Sequence, residues 1–194
     1  MSICKTNFIF IRIIRMRVVY IFLLFLSVRA HSQDDWTLFL PEDRSFQVLS
    51  PGTMDWGVKH VLTDLGELKT ITYLNKGSQE TSEIIYIINY TDYPGGILHE
   101  DSTDLLENFF QTSLDGIIEK LNGQLLYYAD VSTVYSPKKL YKINYNDGHA
   151  VVKGKMYIIN DRFYSIQAFS SFQKSTDQSI DRFLDSFKIL PASQ

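Results

Sequence analysis

Glu83-Ile84-Ile85-Tyr86-Ile87-Ile88-Asn89-Tyr90 and the segment Ser102 to Leu121 together decide the fold, because the apolar period changes between them. The first stretch sets four isoleucines around Tyr86 and has no polar face. It therefore reads as a central strand covered on both sides. In the second, Leu105, Leu106, Phe109, Phe110, Leu114, Ile117, Ile118 and Leu121 recur at spacings of three and four, the stripe of an amphipathic helix. Asp101, Ser102 and Thr103 offer N-cap side chains, and Asp104 and Glu107 suit the positive end of the helix dipole. Asn122-Gly123 supplies the C-terminal stop. Gly116 costs this helix about 1 kcal/mol, which the stripe outweighs.

Upstream, Phe46-Gln47-Val48-Leu49-Ser50 alternates and stops at Pro51-Gly52. Lys59 to Thr63 leads through Asp64-Leu65-Gly66 into Glu67 to Leu74, a hairpin pattern, and Asn75-Lys76-Gly77-Ser78 turns the chain into the isoleucine run. Downstream, strands are expected over Leu125 to Tyr135, Lys139 to Tyr145, His149 to Ile159 and Arg162 to Phe169. The turns between them are Ser136-Pro137, Asn146-Asp147-Gly148 and Asn160-Asp161; Asp147-Gly148 marks a tight primed turn, whose central residues need positive φ. A second helix is expected over residues 176–186, with Ser175 as its cap, Gln178 as the capping partner, and Ile180, Phe183, Leu184 and Phe187 as its buried stripe. Strands joined by tight turns run antiparallel. The class is thus α+β: an antiparallel sheet of about 6–8 strands covered by two main helices, approximately 102–121 and 176–186, rather than a βαβ arrangement.

The N-terminal residues read as an export leader. Arg15 and Arg17 precede the apolar run Val18 to Val28, and Ala30 and Ser32 stand at the −3 and −1 positions of a cut before Gln33. Met16 gives a more compact start than Met1, whose following residues make an untidy charged region. The expected organisation is a signal peptide over 1–32 and one α+β domain over 33–194. Cys4, the only cysteine, leaves with the leader, so neither a disulfide nor thiol chemistry is expected afterwards. Five of the 19 basic residues and none of the 22 acidic ones precede Gln33, leaving 14 against 22 and a formal net charge of −8. That balance, without a Lys/Arg cluster, argues against nucleic acid and against an anionic membrane surface as partners. The expected location is exported, periplasmic or extracellular.

No nucleophile elbow, P-loop, dinucleotide fingerprint or H-E-x-x-H is present. His60 and His149 read as strand-surface residues. His99, Glu100, Asp101 and Asp104 invite a metal reading, but their spacing matches neither an EF-hand nor a zinc pattern, and Asp101 and Asp104 already suit a helix start. No catalytic residue, metal or cofactor is assigned. Asn89-Tyr90-Thr91 fits the N-glycosylation pattern within a strand, which makes it a coincidence. The strand tyrosines Tyr127, Tyr128, Tyr135, Tyr141, Tyr145, Tyr157 and Tyr164 are explained by β propensity and packing, with a tyrosine-lined pocket as the sharper alternative. If a functional surface exists, it falls on the 92–101 loop, where Tyr93 and His99 supply contacts, Pro94 stiffens the chain and Gly95-Gly96 allow close approach. In a meander, the Asp64-Leu65-Gly66 turn shares that end of the sheet, while a Trp56 loop, Met54 to Gly57, lies at the other.

Trp36-x-x-Phe39, a short acidic turn, and Phe46-x-Val48-x-x-Pro51-Gly52 are similar to the opening of PsbP-like domains. Tyr164 and Arg182-Phe183-Leu184-Asp185-Ser186-Phe187 resemble the closing segments of their exported bacterial relatives. The resemblance spans most of residues 36–189. It implies an antiparallel sheet between helices and an accessory or binding role, and it carries over no catalytic residue. The expectation is an exported non-enzymatic binding domain for a protein or small ligand; the alternative is a secreted hydrolase of unrecognised type.

Overall fold

A computed structural model describes residues 36–76, 83–98, 102–133 and 137–191. The leader and its cut site, His99, Asp101, Tyr135 and Ser136 lie outside the described residues. Among those described, ten strands and two α-helices form. The strands are β1 (Trp36–Phe39), β2 (Phe46–Pro51), β3 (Asp55–Thr63), β4 (Gly66–Asn75) and β5 (Ile84–Asp92), then β6 (Gln124–Asp130), β7 (Lys138–Tyr145), β8 (Ala150–Ile159), β9 (Arg162–Ser171) and β10 (Lys188–Ile189). The helices are α1 (Thr103–Leu121) and α2 (Gln178–Ser186).

Seven strands make one antiparallel sheet in the order β3-β4-β5-β9-β8-β7-β6, and β1-β2-β10 make a small second sheet. The fold is therefore α+β, as the punctuation of the sequence implies. The tight turns are chemically apt: Asn160 and Asp161 both take positive φ (50° and 59°) in the two-residue β8–β9 connection. Asn146, Asp147 and Gly148 all have positive φ too, but they belong to a four-residue loop between Tyr145 and Ala150, longer than the two-residue turn expected. Trp56 lies within β3, opposite Tyr73, rather than in a loop, because pairing with β4 continues back to Asp55. β6 ends at Asp130, short of Tyr135.

One face of the large sheet carries Tyr73, Tyr86, Ile88, Tyr90, Tyr164 and Ile166, covered by Phe46 and Val48 of the small sheet and by α2. Ile180, Phe183 and Leu184 of α2 are at most 2% exposed, each contributing roughly 1.5–3 kcal/mol of burial. Lys153 and Lys155 of β8 pair with Asp181 and Asp185, one turn apart on α2. The cap of α2 is Asp177, whose carboxylate accepts from Ser179 N–H at 2.9 Å. The expected cap, Ser175, is instead drawn into a preceding 3-10 turn, its N–H donating to Phe172 C=O.

The other face is only half covered. Leu106, Phe110 and Leu114 of α1 pack on Tyr141, Ile143, Val152, Met156 and Ile158, all from β7 and β8. α1 ends as expected, with Asn122 left-handed and Gly123 N–H returning to Ile118 C=O. Ser102 occupies its N-cap position without a side-chain cap bond, and Leu105 is 45% exposed, outside the buried stripe. Since α1 sits over β7 and β8, it leaves β5 open on this side: Ile85 is 39% exposed, so the isoleucine strand is covered on one face rather than two.

Lys139 anchors the start of α1. Its side chain, 6% exposed, pairs with Glu107 and, at 3.0 Å, with Asp130, between the rings of Phe110 and Tyr128. On the opposite face Arg162 clasps Asp92 and, at 2.9 Å, Asp43, with its guanidinium 4.4 Å from the Tyr90 ring centroid. Among the described residues no helix is long and apolar enough to cross a membrane.

Candidate functional site

Where α1 leaves the sheet uncovered, a groove of about 380 Å³ opens between the helix and strands β4, β5 and β9. Its helix wall is Ser113, Gly116, Ile117 and Lys120, whose spacing of three, one and three puts them on one side of α1. Gly116 makes room: a Cβ built there meets nothing within 4 Å.

The floor follows from strand alternation. Odd-numbered residues of β5 and β9 point to this face, so Asn89, Thr91, Ser165 and Gln167 share it. Register aligns them into rows across the strands: Thr72 opposite Asn89 opposite Ser165, and Thr70 opposite Thr91. Thr72 donates to Asn89 Oδ1 at 2.6 Å, and the Thr70 and Thr91 hydroxyls are 2.8 Å apart. Gln167 Nε2 donates to the Tyr141 hydroxyl at 2.7 Å. Burial pushes that phenol up to about 12, so it stays neutral. Tyr141 lies flat across Gly154, where an added Cβ would come within 2.5 Å of the ring. Ser165, 6% exposed, brings its Oγ beside Tyr141 yet makes no hydrogen bond of normal geometry.

Apolar groups close the ends. Phe163 and Phe169 of β9 and Leu121 of α1 flank the floor, and Tyr93 stands where β5 gives way to the next loop. Tyr93 is half-buried, edge-on to Phe109 at 5.3 Å between centroids, and Phe109 in turn stacks edge-on to Phe163 at 5.1 Å. Burial raises the Tyr93 phenol above its ordinary value.

The loop after β5 is anchored rather than free. Asp161, at the β8–β9 turn, accepts from Gly96 and Leu98 N–H at 3.1 and 2.9 Å, and its carbonyl accepts from Tyr93 N–H. Leu98 is 2% exposed. Of the two sequence candidates, Tyr93 lines the groove and His99 lies outside the described residues. Trp56 is 70% exposed and aligned with Tyr73, on the opposite face from the groove. Tyr141, Tyr157 and Tyr164 are core residues, and of the tyrosines among the described residues only Tyr90 and Tyr93 border the groove.

Sequence reasoning passed over the floor. Asn89-x-Thr91 drew notice only as a glycosylation pattern, and Ser165-x-Gln167 drew none. Both are polar pairs at period two in otherwise apolar strands, which is the signal that marks them. Among the described residues no cluster of three or more His, Cys, Asp or Glu is placed to hold a metal ion.

No family model matches the chain, and no curated protein does. Among solved structures it is similar to the solution structure of cyanobacterial PsbP (CyanoP) from Synechocystis sp. PCC 6803, with 10% identity and a TM-score of 0.53, over 84% of this chain and 98% of that one. The fold is PsbP-like.

Proposed function

We propose that the chain is an exported, non-enzymatic binding domain that holds a small ligand in the groove between α1 and the open half of the sheet. The observation that carries this reading is the half-covered face: a helix with a glycine at its centre stands over a floor of hydroxyl and amide side chains flanked by aromatic rings. Such mixed linings, mostly apolar with a few placed polar groups, suit ligand recognition. Among the described residues the lining contains no histidine, cysteine or carboxylate, the groups that most often act as general base or thiol nucleophile in hydrolysis. The PsbP-like fold supports an accessory role. Export rests on the n-region, apolar run and cut site of residues 15–33.

The test is a fluorescence titration with the neutral dye N-phenyl-1-naphthylamine, comparing the purified protein with Gly116→Phe. The reading expects one dye per chain and loss of binding in the variant, with the melting temperature maintained. Absence of binding, or binding undiminished by Gly116→Phe, overturns it.

A further inference from the structure

The groove has an electrostatic character of its own. Lys120 is the single charged side chain among its described lining residues, and no carboxylate shares the wall. Among the described residues Lys120 has no ion-pair partner, a state it shares with Lys59, Lys69 and Lys142; what sets it apart is its place in the groove lining. Lys120 is exposed at the rim of the cleft, so its ammonium is free to meet a ligand. Lys120 lies one helical turn beyond Gly116, at the end of the wall near Leu121. The floor adds polar groups for a ligand to meet: Asn89, Ser165 and Gln167 line it, with Ser165 Oγ beside the Tyr141 hydroxyl.

We propose that the groove takes a small amphipathic anion, its apolar body lying against Phe163, Phe169 and Ile117 and its carboxylate or sulfonate meeting the Lys120 ammonium. This rests on the reading of the groove as a ligand site. The body occupies the space that Gly116 leaves open, and a hydroxyl or carbonyl on it reaches the floor of Asn89, Ser165 and Gln167. The selectivity is local: a neutral molecule of the same shape fills the same space but leaves the ammonium unanswered.

A matched pair of dyes tests this. 1-Anilinonaphthalene-8-sulfonate has the body of N-phenyl-1-naphthylamine plus one sulfonate. Both are titrated into the wild-type protein, Lys120→Met and Gly116→Phe, with circular dichroism and melting curves confirming that each variant is folded. The expected result is tighter binding of the sulfonate dye by wild type. Lys120→Met then weakens that dye about tenfold, the loss of one charge-assisted hydrogen bond, and leaves the neutral dye unchanged. Gly116→Phe abolishes both. Equal or tighter binding of the neutral dye, or a sulfonate affinity unmoved by Lys120→Met, overturns the anion assignment while the groove reading stands. If Gly116→Phe spares both dyes, the groove reading itself falls and the anion assignment with it.

Discussion

Replacing Gly116 by alanine probes whether the groove wall is open. Gly116 lies inside the 19-residue helix α1 and is exposed. In a helix interior alanine is favoured over glycine by about 1 kcal/mol, from lower chain entropy in the unfolded state and better cover of the backbone. Nothing within 4 Å opposes the new Cβ, so no clash offsets that gain, and nothing buries the methyl to enlarge it. Gly116→Ala should therefore raise stability by about 1 kcal/mol, which for a domain of this size is roughly 2–4 °C in Tm. In urea the midpoint should rise by about 0.3–1 M with m unchanged. Equilibrium urea denaturation followed by far-UV circular dichroism measures both. A neutral or destabilised Gly116→Ala would mean that something occupies the space beside α1, and the account of an open groove would be refuted.

Three further outcomes follow from the packing. Lys139 is buried while its partners Glu107 and Asp130 are half-exposed or more, so the two sides of the cluster are unequal. Lys139→Met lets both carboxylates hydrate and should cost at most about 1 kcal/mol, whereas Glu107→Gln with Asp130→Asn strands a buried ammonium and should cost about 3–5 kcal/mol; the reverse order in urea denaturation would refute this. Hydrogen bonds from Ser132, then Lys139, lower Asp130 from its ordinary 3.8 to about 2, and hydrogen bonds from Ser179 lower Asp177. Burial raises Asp43, but Ser45 and Arg162 outweigh it and the net shift is downward. Carboxylates depressed in the fold contribute stability fully above the unfolded value and lose it as pH falls through the folded one. Tm should thus drop from about pH 4 towards pH 2, and Asp43→Asn should flatten that fall; an unchanged profile in the variant would count against the Arg162 clasp. Leu114→Ala should cost about 2–5 kcal/mol and Leu105→Ala under about 0.5, since Leu114 is fully buried and Leu105 is 45% exposed.

How much of this was legible in the sequence depends on range. Local chemistry was readable: Asn122-Gly123 ends α1, Asn160-Asp161 makes the two-residue turn, and the stripe Ile180, Phe183, Leu184 is buried as its period implies. What depends on distant partners was not. β1 and β10 are short strands that exist through pairing with β2, and nothing in Lys188-Ile189 alone announces a strand. Ser175 loses the capping role because a 3-10 turn reaches it first. The largest gap concerns β5. Four isoleucines suggest burial on both faces, but whether a helix reaches that far across a sheet is set by where α1 docks on β7 and β8. That docking position also makes Asn89, Thr91, Ser165 and Gln167 a floor. In sequence they are merely polar positions in strands, and Gly116 is merely a cost.

The central claim is that the half of the sheet left uncovered by α1 is the binding face. Amide chemical-shift mapping during titration with 1-anilinonaphthalene-8-sulfonate tests it most directly. The account predicts that the shifted resonances cluster on Thr70, Asn89, Thr91, Ser165 and Gln167 and on the Ser113 to Lys120 side of α1. Shifts concentrated instead on the exposed β3 strand around Trp56 and Leu62, or over the small sheet at Phe46, would contradict it.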